Sequence, residues 1–178
     1  NIVQVTTPKV DVLWVIDNSG SMSDEQDELA ANFSSFISYF LDSGLDWHVG
    51  VVSTDMDSPS HSGKLRDSGG ERYLTPDVTD PISKFETMAR MGASGSGTEK
   101  GRLATYTAIE VLGDDYNSGF YREEASLSVI LISDEDDSTS KSQLSLNEFI
   151  SWMKNLKQDK DLVSFSSIVC PDPQDCAE

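Results

Sequence analysis

Val12-Leu13-Trp14-Val15-Ile16-Asp17-Asn18-Ser19-Gly20-Ser21-Met22 runs from five unbroken apolar residues into Asp-x-Ser-x-Ser. An apolar run without polar alternation predicts a strand covered on both faces, hence a parallel sheet flanked by helices. The Asp17 carboxylate and the Ser19 and Ser21 hydroxyls then leave the carboxyl end of that strand. Open parallel sheets place their ligand crevice there, because the connections diverge to opposite faces. An all-oxygen set suits a hard cation, Mg²⁺ or Mn²⁺, with magnesium asking for octahedral oxygens at about 2.0–2.1 Å. A soft-metal site would need other residues: His48 and His61 are far apart in sequence, and Cys170 and Cys176 lack zinc-ligand spacing.

The competing reading of Asp17, Ser19 and Ser21 is a polar strand-to-helix turn. Two further pieces weigh against it. Gly92-Ala93-Ser94-Gly95-Ser96-Gly97-Thr98 is a glycine-rich loop that should open a helix at Glu99, and Leu127-Ser128-Val129-Ile130-Leu131-Ile132-Ser133-Asp134 is a second buried strand ending in an acid. Over about residues 8 to 170 these pieces resemble the von Willebrand factor type A (vWA) domain and its metal-ion-dependent adhesion site. The resemblance implies a Rossmann-like, doubly wound α/β fold with a mostly parallel central sheet and helices on both faces. It also implies a metal set of Asp17, Ser19 and Ser21 from the first loop, Thr98 from the second and Asp134 from the third. Thr105 and Thr107 lie near Thr98, but the face Gly101, Ala104, Thr105, Ala108, Val111, Leu112 reads as packing against the sheet.

Between these pieces the elements are marked by local chemistry. Ser23 as N-cap with Gln26 three residues on, and Asp24 and Glu25 in the first turn, predicts a helix start. Leu29, Phe33, Phe36, Ile37, Phe40 and Leu41 then form its inner stripe, ended by Asp42-Ser43-Gly44. Asn32-Phe33-Ser34 fits a glycosylation pattern but falls inside this helix and reads as chance. Trp47 to Val52 is the second strand, with His48 at its exposed start. The Ser/Gly/Asp/Pro-rich stretch from Asp55 to Thr79 is a long loop at the ligand edge, containing one short edge strand at Arg72-Tyr73-Leu74-Thr75. A short helix over Ile82 to Met91 follows. Ser145 and Glu148 form a capping box for a helix with Leu146, Phe149, Ile150 and Met153 inward, and Leu162 to Val169 is the last strand.

The chain of 178 residues, 37% hydrophobic, suffices for one core, so a single vWA-like domain over 1–178 is expected. No apolar run approaches the roughly 20 residues of a membrane span. A charge of −18, from 31 acids against 13 bases, argues against nucleic acid and anionic membrane as partners, since both attract basic patches. Asp55, Asp57, Asp136 and Asp137 are candidate accessory acids for a second cation, with solvated loop as the competing reading. The vWA pattern normally adds a sixth strand and a C-terminal helix, where this chain shows only the tail 170–178. Cys170 and Cys176 in that tail could close a small disulfide loop, which suits an extracellular, cell-surface or periplasmic setting; free thiols would suit a cytoplasmic one.

Enzymatic readings lack their residues. A haloacid-dehalogenase-type phosphohydrolase needs a second aspartate where Ser19 stands. A P-loop needs lysine directly after its closing glycine, where Thr98 stands, and no G-x-S-x-G elbow appears. The expected function is therefore a non-enzymatic adhesion module holding Mg²⁺, or Mn²⁺ or Ca²⁺, completed by an Asp or Glu carboxylate from a protein ligand on a host or neighbouring surface. The opening motif is similar to bacterial surface and secreted vWA domains. The alternative keeps the fold: an intracellular vWA scaffold that docks on an ATPase or assembly complex.

Overall fold

The structure, a computed structural model, describes residues 8–41 and 43–169. Strands β1 (Lys9–Ile16), β2 (Asp46–Ser53), β3 (Tyr73–Leu74), β4 (Ser126–Ser133) and β5 (Val163–Val169) form one sheet in the order β3-β2-β1-β4-β5. The β2–β1, β1–β4 and β4–β5 pairs are parallel, and only the short β3 runs antiparallel. The chain leaves β1 toward β2 on one side and reaches β4 on the other, so the sheet reverses direction beside β1. This is a doubly wound α/β architecture with a mostly parallel central sheet.

Although β1 is apolar without interruption, its pleat still sends alternate side chains to opposite faces. Val12, Trp14 and Ile16 pack with Phe33 and Ile37 of helix α1 (Ser23–Leu41) and with Phe85 and Met88 of α2 (Pro81–Ala89). Leu13 and Val15 pack on the other face with Ala104 of α3 (Gly101–Tyr106) and with Ala108 beyond it. Phe149 and Met153 of α5 (Leu146–Asn155), which follows the one-turn α4 (Lys141–Leu144), join that second cluster. Both faces of the central strand are thus covered by helices, as its uninterrupted apolarity requires. Among the described residues no helix is long and apolar enough to cross a membrane.

Several local expectations are corrected. Helix α1 begins at Ser23 after a short 3-10 turn, but Gln26 does not close a capping box. It is buried, and its amide donates to the backbone carbonyls of Asp17 and Gly92 instead. Leu41 is exposed at the end of the stripe. Glu99 does not open a helix: α3 starts two residues later and passes into a π-helical turn, Thr107–Val111, which swings Val111 out to solvent. His48 is not at an exposed start but largely covered, its Nδ1 2.8 Å from the Phe120 carbonyl. The Ser145–Glu148 capping box forms as read, yet Leu146 and Ile150 stay exposed beside a cleft rather than joining the core. The tail with Cys170 and Cys176 lies outside the described residues.

Candidate metal centre

Asp17 sits one residue beyond β1, where its backbone N–H still bonds the Ile132 carbonyl at 3.0 Å, and it is fully buried. Its Oδ1 accepts the Ser19 N–H at 2.7 Å, the local Asx geometry that turns the chain out of the strand. Its Oδ2 accepts the Ser133 hydroxyl at 2.6 Å from the end of β4. Each carboxylate oxygen therefore has one hydrogen-bond donor. Ser19 and Ser21 face each other with their hydroxyl oxygens 3.2 Å apart; Ser19 is buried and Ser21 is open to solvent. The first loop thus brings the Ser19 and Ser21 hydroxyls together just after the buried Asp17.

Asp134 follows Ser133 directly and is half-buried; its Oδ1 is shielded from water and has no hydrogen-bond partner. A buried carboxylate oxygen without a donor is costly. Such an orphan in a crevice of hydroxyls and carboxylates fits a bound cation. Thr98, by contrast, lies exposed on the rim.

The residue that the glycine loop buries is Glu99, which the sequence reading treated only as a helix start. It is 2% exposed; one carboxyl oxygen accepts the Thr54 hydroxyl and the other, Oε1, has no partner. Burial pushes its pKa up to about 8, the Thr54 hydroxyl opposes this, and the adjacent Asp17 carboxylate and Glu135 push it further up. Burial, with the charges of Asp17 and Asp134, also raises Glu135. The only sequence hint was a carboxylate directly after the glycine run. Burial of Glu99 depends on the unwound turn before α3, which no local motif announces.

The accessory acids have partners of their own. Asp55 Oδ1 accepts the Asp57 and Ser58 amides and Oδ2 lies 3.1 Å from His61 Nδ1; these contacts outweigh burial and hold its pKa below the usual value. Asp57 pairs with Lys100 at 2.7 Å and Ser96 at 2.9 Å. Asp137 pairs with the Arg102 amide and guanidinium. Asp136 is exposed. Among the described residues no three His, Cys, Asp or Glu side chains converge as a metal-holding group. A cation at the strand ends would therefore depend on serine hydroxyls as much as on carboxylates. Beside the centre opens a cleft of about 880 Å³ bounded by Ser21 and Asp134 and floored by Leu131, Phe149, Met153 and Phe165.

No family model matches the chain, and no curated protein matches it. Among solved structures it is similar to the pilus adhesin SpaC of Lactobacillus rhamnosus GG in its open conformation, at 14% identity and TM-score 0.46, over 75% of this chain and 15% of that one. It is similar to proximal thread matrix protein 1 of the mussel byssus at 14% identity and TM-score 0.49, over 92% of this chain and 38% of that one. It is similar to the SpRpn10 VWA domain at 15% identity and TM-score 0.47, over 96% of this chain and 94% of that one. The chain thus spans 15% and 38% of the length of the first two proteins. At this level the likenesses decide nothing about chemistry, and the site is read from its own residues.

Proposed function

We propose that the chain is a metal-dependent protein-binding module rather than an enzyme. Asp17, Ser19, Ser21 and Thr98 hold a divalent cation, Mg²⁺ or alternatively Mn²⁺ or Ca²⁺, with Asp134 bound directly or through water. The cation supplies a positive centre for a carboxylate, and an Asp or Glu of a protein ligand completes its coordination. Hydroxyl ligands are neutral, so much of the cation's charge stays available to that partner. The fully buried Asp17, with a donor on each carboxylate oxygen and the Ser19 and Ser21 hydroxyls 3.2 Å apart in the loop that follows it, is the observation that carries this reading. The protein's own residues do the orienting: Ser133 and the Ser19 amide fix the Asp17 carboxylate, and Gln26 ties the Asp17 backbone to the glycine loop. A protein displayed at a bacterial cell surface or secreted is the setting we assign.

The test is calorimetric titration of Mg²⁺, Mn²⁺ and Ca²⁺ into chelator-stripped protein, with Asp17→Ala alongside. One-site binding in the wild type that disappears in Asp17→Ala supports the assignment. A wild type that binds none of the three overturns it.

A further inference from the structure

We infer that Glu99 is a metal ligand of this centre, forming with Asp17 a buried carboxylate pair that holds the cation from the glycine-loop side. The inference rests on the cation site proposed above and changes its composition, since the glycine loop then contributes a charged inner ligand besides the exposed Thr98.

Three observations carry it. Glu99 is 2% exposed, yet with both carboxyl groups ionised its Oε1 has no hydrogen-bond donor. Among the described residues no Lys, Arg or His makes an ion pair with Glu99 or with Asp17. A buried carboxyl group in that state is relieved by a proton or by a cation, and a cation between Glu99 and Asp17 satisfies both groups at once. Its other oxygen is already fixed by Thr54, and Thr54 is itself fully buried, with its N–H on the Ile16 carbonyl at 3.1 Å and its carbonyl on the Lys100 N–H at 3.2 Å. The backbone carbonyl of Glu99 accepts the Ser138 N–H at 2.6 Å, which ties the residue to the loop after Asp134. Ligating carboxylates are held in this way, with one oxygen turned to the metal and the rest of the group oriented by outer hydrogen bonds. Thr54 serves as the positioning residue. Because Thr54 bonds both the Glu99 carboxyl group and the carbonyl of Ile16, the residue before Asp17, it holds Glu99 at the end of β1 where the first loop begins.

The pair has a consequence for partner binding. A second carboxylate in contact with the cation neutralises more of its charge, so the cation is held more tightly and attracts an incoming partner carboxylate less. The centre then retains its cation without a partner, and selectivity for partners falls to the surrounding loops and the adjoining cleft.

The experiment titrates Mn²⁺ and Mg²⁺ into chelator-stripped wild type, Glu99→Gln, Glu99→Asp, Thr98→Ala and Asp17→Ala, with circular dichroism of each metal-free variant to establish folding. Glutamine keeps the shape and the Thr54 contact while removing the charge. The expected result is at least a tenfold weaker cation affinity in Glu99→Gln, partial retention in Glu99→Asp, and a smaller loss in Thr98→Ala. Wild-type affinity or tighter in Glu99→Gln, with binding abolished in Asp17→Ala, overturns the role of Glu99 and leaves the cation site standing. Absence of cation binding by the wild type overturns both.

Discussion

The Ser133 hydroxyl donates to Asp17 Oδ2 at 2.6 Å, joining two buried side chains 116 positions apart at the ends of neighbouring parallel strands. The same hydroxyl accepts the Glu135 amide at 3.1 Å, so it also shapes the turn that presents Asp134. Ser133→Ala leaves a buried carboxylate oxygen without its donor. It should lower stability by about 1–3 kcal/mol and weaken cation binding, because Asp17 loses its orientation. Urea denaturation in chelator and cation titration of the same variant measure the two effects. Unchanged values in both would show that Ser133 is a bystander.

At the opposite end of the sheet, Asp11 is fully buried and receives both the backbone amide and the guanidinium of Arg122, at 2.7 and 2.8 Å. Arg122 also reaches Asp46 at 2.6 Å. Burial outweighs these contacts and raises the Asp11 pKa. Removing one partner strands the other, so Arg122→Met should cost about 3–5 kcal/mol, whereas replacing Asp11 and Arg122 together by apolar residues should recover much of the loss. Thermal unfolding of the single and double variants tests this. Equal losses in the two would contradict a stranded charge as the cause.

Much of this architecture was legible because the deciding signals are local. The unbroken β1 required cover on both faces, and Ser145 with Glu148 marks the start of α5 as read. What was not legible depends on tertiary contacts. Gln26 looks like a capping residue in sequence, but the carbonyls of Asp17 and Gly92 come within its reach only once the glycine loop docks on the first loop. His48 looks exposed until Phe120, 72 residues on, lies over it. Glu99 looks like a first-turn acid, and only the late start of α3 turns it inward. At the candidate centre, the turn of Asp17, Ser19 and Ser21 at the end of β1 was readable from spacing, whereas the burial of Glu99 after the glycine loop was not.

His48 carries the clearest pH signature away from the centre. Burial holds its pKa below the ordinary 6.5 and the Arg122 charge adds to this, while the Phe120 carbonyl, Asp11 and Asp46 oppose it; the Tyr73 ring lies 4.7 Å away. For a group with a lowered folded pKa, the unfolded chain binds the proton first as the pH falls. The stability due to neutral His48 is therefore complete above about pH 6.5 and is lost as pH falls toward the folded pKa. Denaturation curves between pH 8 and 5 should show a steeper fall for the wild type than for His48→Gln. Parallel curves would show that His48 titrates alike in both states.

The contact between the first loop and the glycine loop gives the sharpest test of how the centre is assembled. Gly95 donates its N–H to the Asn18 carbonyl at 2.8 Å, and a Cβ at Gly95 would sit 2.3 Å from Asn18 Oδ1. Asn18 cannot easily yield, because it is buried and the same Oδ1 accepts the Ser53 hydroxyl at 2.7 Å. Gly95→Ala must therefore push the glycine loop outward, carrying Thr98 and Glu99 away from Asp17. The sheet and both core clusters are untouched, so the expected stability cost is about 1–3 kcal/mol, with a disproportionate loss of cation affinity. Gly97→Ala is the matched control, since a Cβ there meets nothing within 4 Å. Cation titration and urea denaturation of the pair separate the outcomes: a loss of binding confined to Gly95→Ala ties the centre to the docking of the two loops, and wild-type affinity in Gly95→Ala would mean the glycine loop contributes nothing to holding the cation.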